Sequence, residues 1–258
     1  MNDENSARAA LKFEGHFRPA LLGQTVVVIG GSAGIGLETA RRARMEGAQV
    51  IVTARDATRL GRAATELGAV QSAAFDAVDS TQLERFFSGL STPIDHVMLT
   101  AGRPHYTKLL QMDVALARRA LDEHLLLLLQ VARNTASKMK PGGTLLFMSG
   151  TGGRRPGLGL GLIPTVTCAL PALTASLALE LAPARVNLIS AGFVDTPLSA
   201  SILGPELENR RKQLRATLPI RRVVGPEDVA ALAVHIMSNT ALTGASFDID
   251  GGQQLIAR

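Results

Sequence analysis

At 258 residues, 46% of them hydrophobic, the chain can bury a sizeable core and is too apolar to be disordered throughout. Its net charge of +5 and pI near 10.0 raise the question of nucleic acid, but the basic residues fall in scattered pairs (Arg41-Arg42, Arg118-Arg119, Arg154-Arg155, Arg221-Arg222) and aromatics make up 3%, too few for a base-stacking platform. No nucleic-acid partner is expected, and the lone Cys168 excludes an internal disulfide and suits a reducing cytosol.

Residues 1–22 precede the first strand-like run and read as an N-terminal extension, while residues 23–258 read as one domain without repeats. Short runs rich in Val, Ile and Leu predict strands at 25–30, 49–54, 70–75, 94–100, 144–149, 185–190 and 245–249. Helical patterns fill the intervals at 34–46, 57–67, 81–90, 111–139, 164–181 and 226–238, with Pro141-Gly142-Gly143 and Gly225-Pro226-Glu227 as stop and start signals. Strands that alternate with helices require right-handed crossovers, hence a parallel sheet covered on both faces, a doubly wound α/β domain. Two segments are unusual. The stretch 150–161 holds six glycines in twelve residues, which predicts a mobile or tightly folded loop. The stretch 164–179 carries no charged residue and has Pro171 inside it. A helix apolar all round is normally buried on every side, so a contact between subunits is expected on its outer face. The longest aliphatic run, Leu125 to Leu129, is far too short to cross a bilayer, and Met1-Asn2-Asp3-Glu4 starts no secretory leader. A cytoplasmic protein without membrane contact is expected. Five dispersed histidines and one cysteine give no metal constellation.

The run Gly30-Gly31-Ser32-Ala33-Gly34-Ile35-Gly36 follows Val26-Val27-Val28-Ile29 directly and opens the next helix. Glycines let the backbone approach a ligand closely, and free amides at a helix start point at anionic oxygens, so the run makes a seat for a dinucleotide pyrophosphate. Further motifs follow in order: Asp76-Ala77-Val78-Asp79, Leu99-Thr100-Ala101-Gly102, Arg185-Val186-Asn187, Ala191-Gly192-Phe193-Val194-Asp195-Thr196-Pro197, and Asp248-Ile249-Asp250-Gly251-Gly252. Together they resemble the short-chain dehydrogenase/reductase family from Leu22 onward. The resemblance implies a Rossmann-type single domain and a nicotinamide cofactor. It implies a homodimer or homotetramer formed through the helix containing Leu125–Leu129 and the charge-free helix. The implied cofactor residues are Gly30, Ser32, Ala33, Gly34, Ile35, Gly36, Arg55, Asp76, Ala77, Thr100, Ala101, Gly102, Thr167, Val194 and Thr196. Asp76 stands where the family's carboxylate accepts a hydrogen bond from adenine. Ile29 and Leu99 replace two polar family positions on neighbouring strands and suit an apolar contact. An NAD site would set a carboxylate near the end of the second strand; here Ala54 offers none, and Arg55 can pair with a 2′-phosphate, which points to NADP(H). The alternative for Arg55, beside Asp56, is a capping role on the following helix.

The family's catalytic pattern breaks down in this sequence. Alignment through Ala169-Leu170 and 173–180 puts Ile163 at the family's tyrosine, Thr167 at its lysine, Gly150 at its serine and His124 at its asparagine. The chain has one tyrosine, Tyr106, and no lysine between Lys140 and Lys212; the divergent enoyl-reductase spacing also fails, because Ala169 stands at its lysine. Ile163 cannot donate a proton and Thr167 cannot supply a cationic field, although its hydroxyl suits the nicotinamide ribose. His124 is the candidate proton donor, with a hydrogen-bonded core histidine as the alternative. His105 and Tyr106 face either substrate or only the rim. Ser149 caps its strand or touches the cofactor, Cys168 is expected to be a buried structural thiol, and His16 and His235 have no assigned role. Two functions are consistent with this pattern. One is an NADP(H)-dependent oxidoreductase whose proton comes from an unusual group, from substrate or from water, acting for example on an iminium that needs no acid. The other is a catalytically silent NADP(H)-binding sensor or structural subunit. Ordinary tyrosine/lysine carbonyl reduction is not expected.

Overall fold

A computed structural model describes residues 19–91 and 93–256; most of the expected extension, with His16, lies outside the described residues. Seven parallel strands form one sheet in the order β3-β2-β1-β4-β5-β6-β7: β1 Thr25–Ile29, β2 Gln49–Ala54, β3 Gln71–Ala74, β4 Ile94–Leu99, β5 Met139–Gly150, β6 Arg185–Ala191 and β7 Ser246–Ile249. All five residues of β1 are buried, as expected for a central strand covered on both faces. Side chains alternate between faces, so Val27 and Ile29 join one core layer while Val26 and Val28 join the other. The first layer is closed by α3 (Ser80–Ser88), α5 (Leu127–Thr135) and α6 (Ile163–Glu180). The second is closed by α1 (Gly34–Met45), α2 (Ala57–Leu67) and α9 (Pro226–Ser238). The chain crosses from the β3 edge back to β4 beside β1, and this reversal opens a crevice at the carboxyl ends of β1 and β4. Ile29 pairs in register with Leu99, both buried, so the two apolar replacements lie side by side.

Local chemistry fixes several helix starts. Asp56, Asp79 and Asp113 accept from backbone amides at the N-termini of α2, α3 and α4 (Val114–Leu121). The span expected as one helix at 111–139 is divided instead. After α4 comes a π-helical turn, Asp122–Leu126, then α5, which ends at Thr135. The chain enters β5 already at Met139, and the strand absorbs Pro141-Gly142-Gly143 through a register shift against Ile94 and His96. The pattern also missed α7 (Pro197–Leu203) and α8 (Leu207–Thr217), because α8 buries only Leu214 and shows no apolar stripe.

Helix α6 is 18 residues long with mean hydropathy 1.3, enough by length and composition to cross a membrane. It packs on the sheet through Val166, Leu170, Thr174 and Leu177, which lie on one face. Cys168 lies off that face and is exposed, which corrects the expectation of a buried thiol.

His96, in β4, is 3% exposed; its Nε2 donates to Gln24 Oε1 at 2.5 Å and its Nδ1 is buried without a partner among the described residues. Burial pushes the imidazole down to about 4, with Arg185 and Lys140 acting in the same direction and Asp95 against them. The unfolded chain therefore binds this proton more readily, so the contribution of His96 is complete above pH 6.5 and declines as pH falls toward about 4. The expected loss across that window is about 3 kcal/mol. Urea unfolding between pH 7.5 and 4 measures it, and His96→Asn should flatten the slope; an equally steep slope in the variant would rule out His96 as its source.

Candidate active site

The crevice is a cavity of about 570 Å³. All residues expected to touch a cofactor line it, from the glycine loop through Arg55, Asp76, Ala77 and Thr100–Gly102 to Thr167, Val194 and Thr196. The candidate His124 lines it too, as do Ser149 and Tyr106. His105 does not reach the wall; it stands behind it, bonded to Glu123.

The loop is built to leave room for a ligand. Gly30 has φ +97°, and a Cβ there would sit 2.6 Å from Thr100 Oγ1 and 2.8 Å from the Ala101 amide. Thr100 holds the loop in place, with its hydroxyl within 3.1 Å of the Ile29 and Gly30 carbonyls. Helix α1 starts after Ala33 in extended conformation, with no side-chain cap and no acidic residue in its first turn. Its leading amides are thus available to anionic oxygens, and the seat fits a dinucleotide pyrophosphate.

At the adenosine end, Asp56 is occupied as the cap of α2, accepting from Arg59 N at 2.9 Å. The Arg55 side chain takes no part in that cap and lines the cavity. Arg59, one helical turn on, lines it as well and donates from Nε to Ser32 Oγ at 3.2 Å. Sequence reading missed Arg59, although the Arg55-to-Arg59 spacing of four was visible.

At the other end the wall is formed by Met148, Ser149, Gly150, Ile163, Val166, Thr167 and Leu170. Ser149 Oγ is buried with no partner among the described residues. The Thr167 hydroxyl donates back to the Ile163 carbonyl at 2.8 Å, leaving only its lone pairs for a ligand. The same cavity is lined by part of a polar cluster on the π turn and the loop after β4. Glu123 is 3% exposed and accepts from Arg119 Nε at 2.8 Å and His105 Nε2 at 3.1 Å. Burial opposes its charge, but the bonds from Arg119 and His105 outweigh it and hold the carboxyl below the usual range. His124 Nε2 bonds to the Arg103 carbonyl at 2.9 Å. Burial pushes this imidazole below its ordinary value, against the pull of the Arg103 carbonyl and of Glu123. Burial also raises the Tyr106 phenol, which therefore keeps its proton across the physiological range. Glu123 escaped the sequence reading because its partner His105 comes from a loop; only the Arg119-to-Glu123 spacing hinted at it.

Comparison with known proteins agrees with this geometry. A family model described as enoyl-(acyl carrier protein) reductase matches residues 30–254. The short-chain dehydrogenase/reductase ATR9 of Stachybotrys chlorohalonatus is 31% identical, over 91% of this chain and 98% of its own. The chain belongs to the short-chain dehydrogenase/reductase family. Among solved structures, the MalC reductase/Diels-Alderase of Malbranchea aurantiaca superposes with a TM-score of 0.86 at 27% identity, covering 93% of this chain and 99% of that one. BdcA in complex with NADPH superposes with a TM-score of 0.80 at 27% identity, covering 90% and 95%. As a short-chain dehydrogenase/reductase, the protein is an oxidoreductase scaffold for a nicotinamide cofactor and a small-molecule substrate.

Proposed function

We propose that this protein is an NADP(H)-dependent reductase for acceptors that are already activated, such as iminium ions, rather than for ordinary ketones. The observation that carries the reading is that Gly150, Ile163 and Thr167, which the sequence alignment sets against the family's serine, tyrosine and lysine, line the cavity. The Thr167 hydroxyl proton is already committed to the helix backbone, and among the described residues no lysine lines the cavity. When bound, the reduced cofactor supplies hydride. The residues around it exclude water, through Met148, Ile163, Val166 and Leu170, and leave the oxygen of a neutral carbonyl without the usual acid and cationic field. An acceptor that arrives with its positive charge does not need them. The neighbour described as a reductase/Diels-Alderase supports a reductive role.

NADPH is preferred over NADH in this reading because Arg55 and Arg59 both line the adenosine end, with no carboxylate at Ala54. Arg55→Ala and Arg59→Ala should each weaken NADPH roughly tenfold or more and leave NADH unchanged, since each removes a charge-assisted bond to the 2′-phosphate. Calorimetry with both cofactors decides it; equal affinities in the wild type would end the NADP(H) assignment.

The reductase reading is tested by a screen of ketones, enones and imines for NADPH consumption. Turnover of imines with ketones left intact is the expected outcome. If nothing is consumed while NADPH binds tightly, the protein is instead a silent cofactor-binding subunit. The exposed face of α6, including Leu179, together with Leu126 and Leu129, suits a homodimer or homotetramer. Light scattering should give a mass above the monomer's 27.1 kDa.

A further inference from the structure

On the reductase reading above, the site must select its acceptor, and the polar cluster holds the groups to do so. The π turn Asp122–Leu126 widens the helix by one residue and sets Glu123 and His124 side by side against the loop after β4. Glu123 holds that loop: besides Arg119 and His105, its carboxylate takes the Arg103 amide at 3.4 Å. The Arg103 carbonyl, positioned in this way, stands 2.9 Å from His124 Nε2. A carbonyl can only accept, so Nε2 carries the proton and Nδ1 of the neutral ring is a lone-pair acceptor. The Nδ1 edge lies against Gly102, where φ is +120°; a Cβ on Gly102 would stand 3.6 Å from Cε1 and 3.8 Å from Nδ1. Gly102 and His124 both line the cavity.

We infer that His124 reads the substrate by accepting, at Nδ1, a hydrogen bond from a protonated imine nitrogen. A carbonyl oxygen needs a donor at the reacting centre, whereas an N–H⁺ needs an acceptor, and His124 Nδ1 provides it. A reduced nicotinamide seated on the glycine loop would supply the hydride, and the two electrons with it, to the imine carbon, the C=N π pair becoming the nitrogen lone pair. The N–H proton stays on nitrogen, still facing His124 Nδ1, and the amine takes its further proton from water. His124 touches substrate, while Glu123 acts through the Arg103 carbonyl as a positioning residue.

The groups around the imidazole set its pH response. Glu123 stands beside it on the π turn, and the loop after β4 contributes Arg103, His105 and Tyr106. From α6 the cavity receives Ile163 and Thr167, and from β5 Ser149, none of which titrates near neutral pH. Protonation at Nδ1 turns the acceptor into a donor, so recognition persists at pH 6.5 and is lost at lower pH.

The test uses the full chain with ¹⁵N-labelled histidine and two matched pairs of probes. In NMR, tetrahydroisoquinolinium, which keeps an N–H, should move the His124 Nδ1 resonance, and its N,N-dimethyl quaternary analogue should not. In turnover with NADPH, dihydroisoquinoline should be preferred over its N-methyl iminium by roughly tenfold or more, the value of one hydrogen bond to a charged group. His124→Phe should abolish both discriminations. Glu123→Gln should leave both measurable while shifting the pH at which they disappear. An Nδ1–H tautomer in the free protein, or equal responses to the two members of each pair, would overturn the assignment. The two readings fail separately. Discrimination in NMR without NADPH consumption removes the reductase and keeps the recognition, whereas equal turnover of imine and N-methyl iminium keeps the reductase and removes His124.

Discussion

Arg185→Leu is expected to cost about 3 kcal/mol or more of folding stability, one of the largest single losses available in this chain. Arg185 is 4% exposed, and among the described residues its guanidinium bonds backbone carbonyls rather than carboxylates. Nε donates to Gly142 at 3.1 Å; Nη1 to Ile236, Asn239 and Leu242 at 2.9–3.0 Å; Nη2 to Met237 at 2.7 Å. Three of these acceptors belong to the end of α9 or follow it directly, where the helix dipole favours a cation. Burial alone disfavours the charge and lowers its pKa, so the carbonyls are what hold it there. Leucine would fill much of the volume but leave five carbonyl bonds unmade. Thermal unfolding should shift down by roughly 6–12 °C in a domain of this size. Arg185→Lys should recover only part, because an ammonium cannot span five acceptors in a fork. A lysine variant as stable as the wild type would refute the multidentate account.

Gly36→Ala should abolish useful cofactor affinity while sparing most of the fold. An added Cβ would fall inside contact of the Gly30 carbonyl and 2.6 Å from Thr100 Oγ1. Neither neighbour can yield cheaply, since Gly30 is backbone and the Thr100 hydroxyl is tied to two carbonyls. Relief has to come from moving the loop away from the start of α1. Overpacking of this kind costs about 1–3 kcal/mol, and displaced amides no longer converge on one anion. Together these should weaken NADPH by roughly a hundredfold. Calorimetry beside a thermal melt separates the two effects; normal affinity in the variant would mean that the loop does not form the seat.

The strand pattern was legible because parallel strands are continuous apolar runs, and Val26 to Ile29 is buried on both faces. The glycine loop was legible because its residue types follow directly from backbone geometry. What escaped was whatever depended on partners distant in sequence. Helix α8 buries one side chain and is held instead by Arg211, which bonds Asp195 from sixteen residues away. The π turn left no signal because one extra residue turns the following face by about 100°, and the unbroken leucines 125–129 present an apolar side chain at either phase. His124 could be placed at the site from its alignment, but its proton-bearing nitrogen followed only from the Arg103 carbonyl opposite.

The glycine-rich segment after β5 is fastened to the far end of the chain: Arg154 forks onto Asp248 in β7, and Arg155 reaches the Gln254 carbonyl. Gln253 likewise accepts from the Phe193 amide through Oε1. Residues in and after β7 thus hold a segment that lies 94–99 positions earlier in the chain. Removing the Asp248 carboxylate would free that segment at one end while leaving the phosphate seat, which Thr100 braces from the end of β4, untouched.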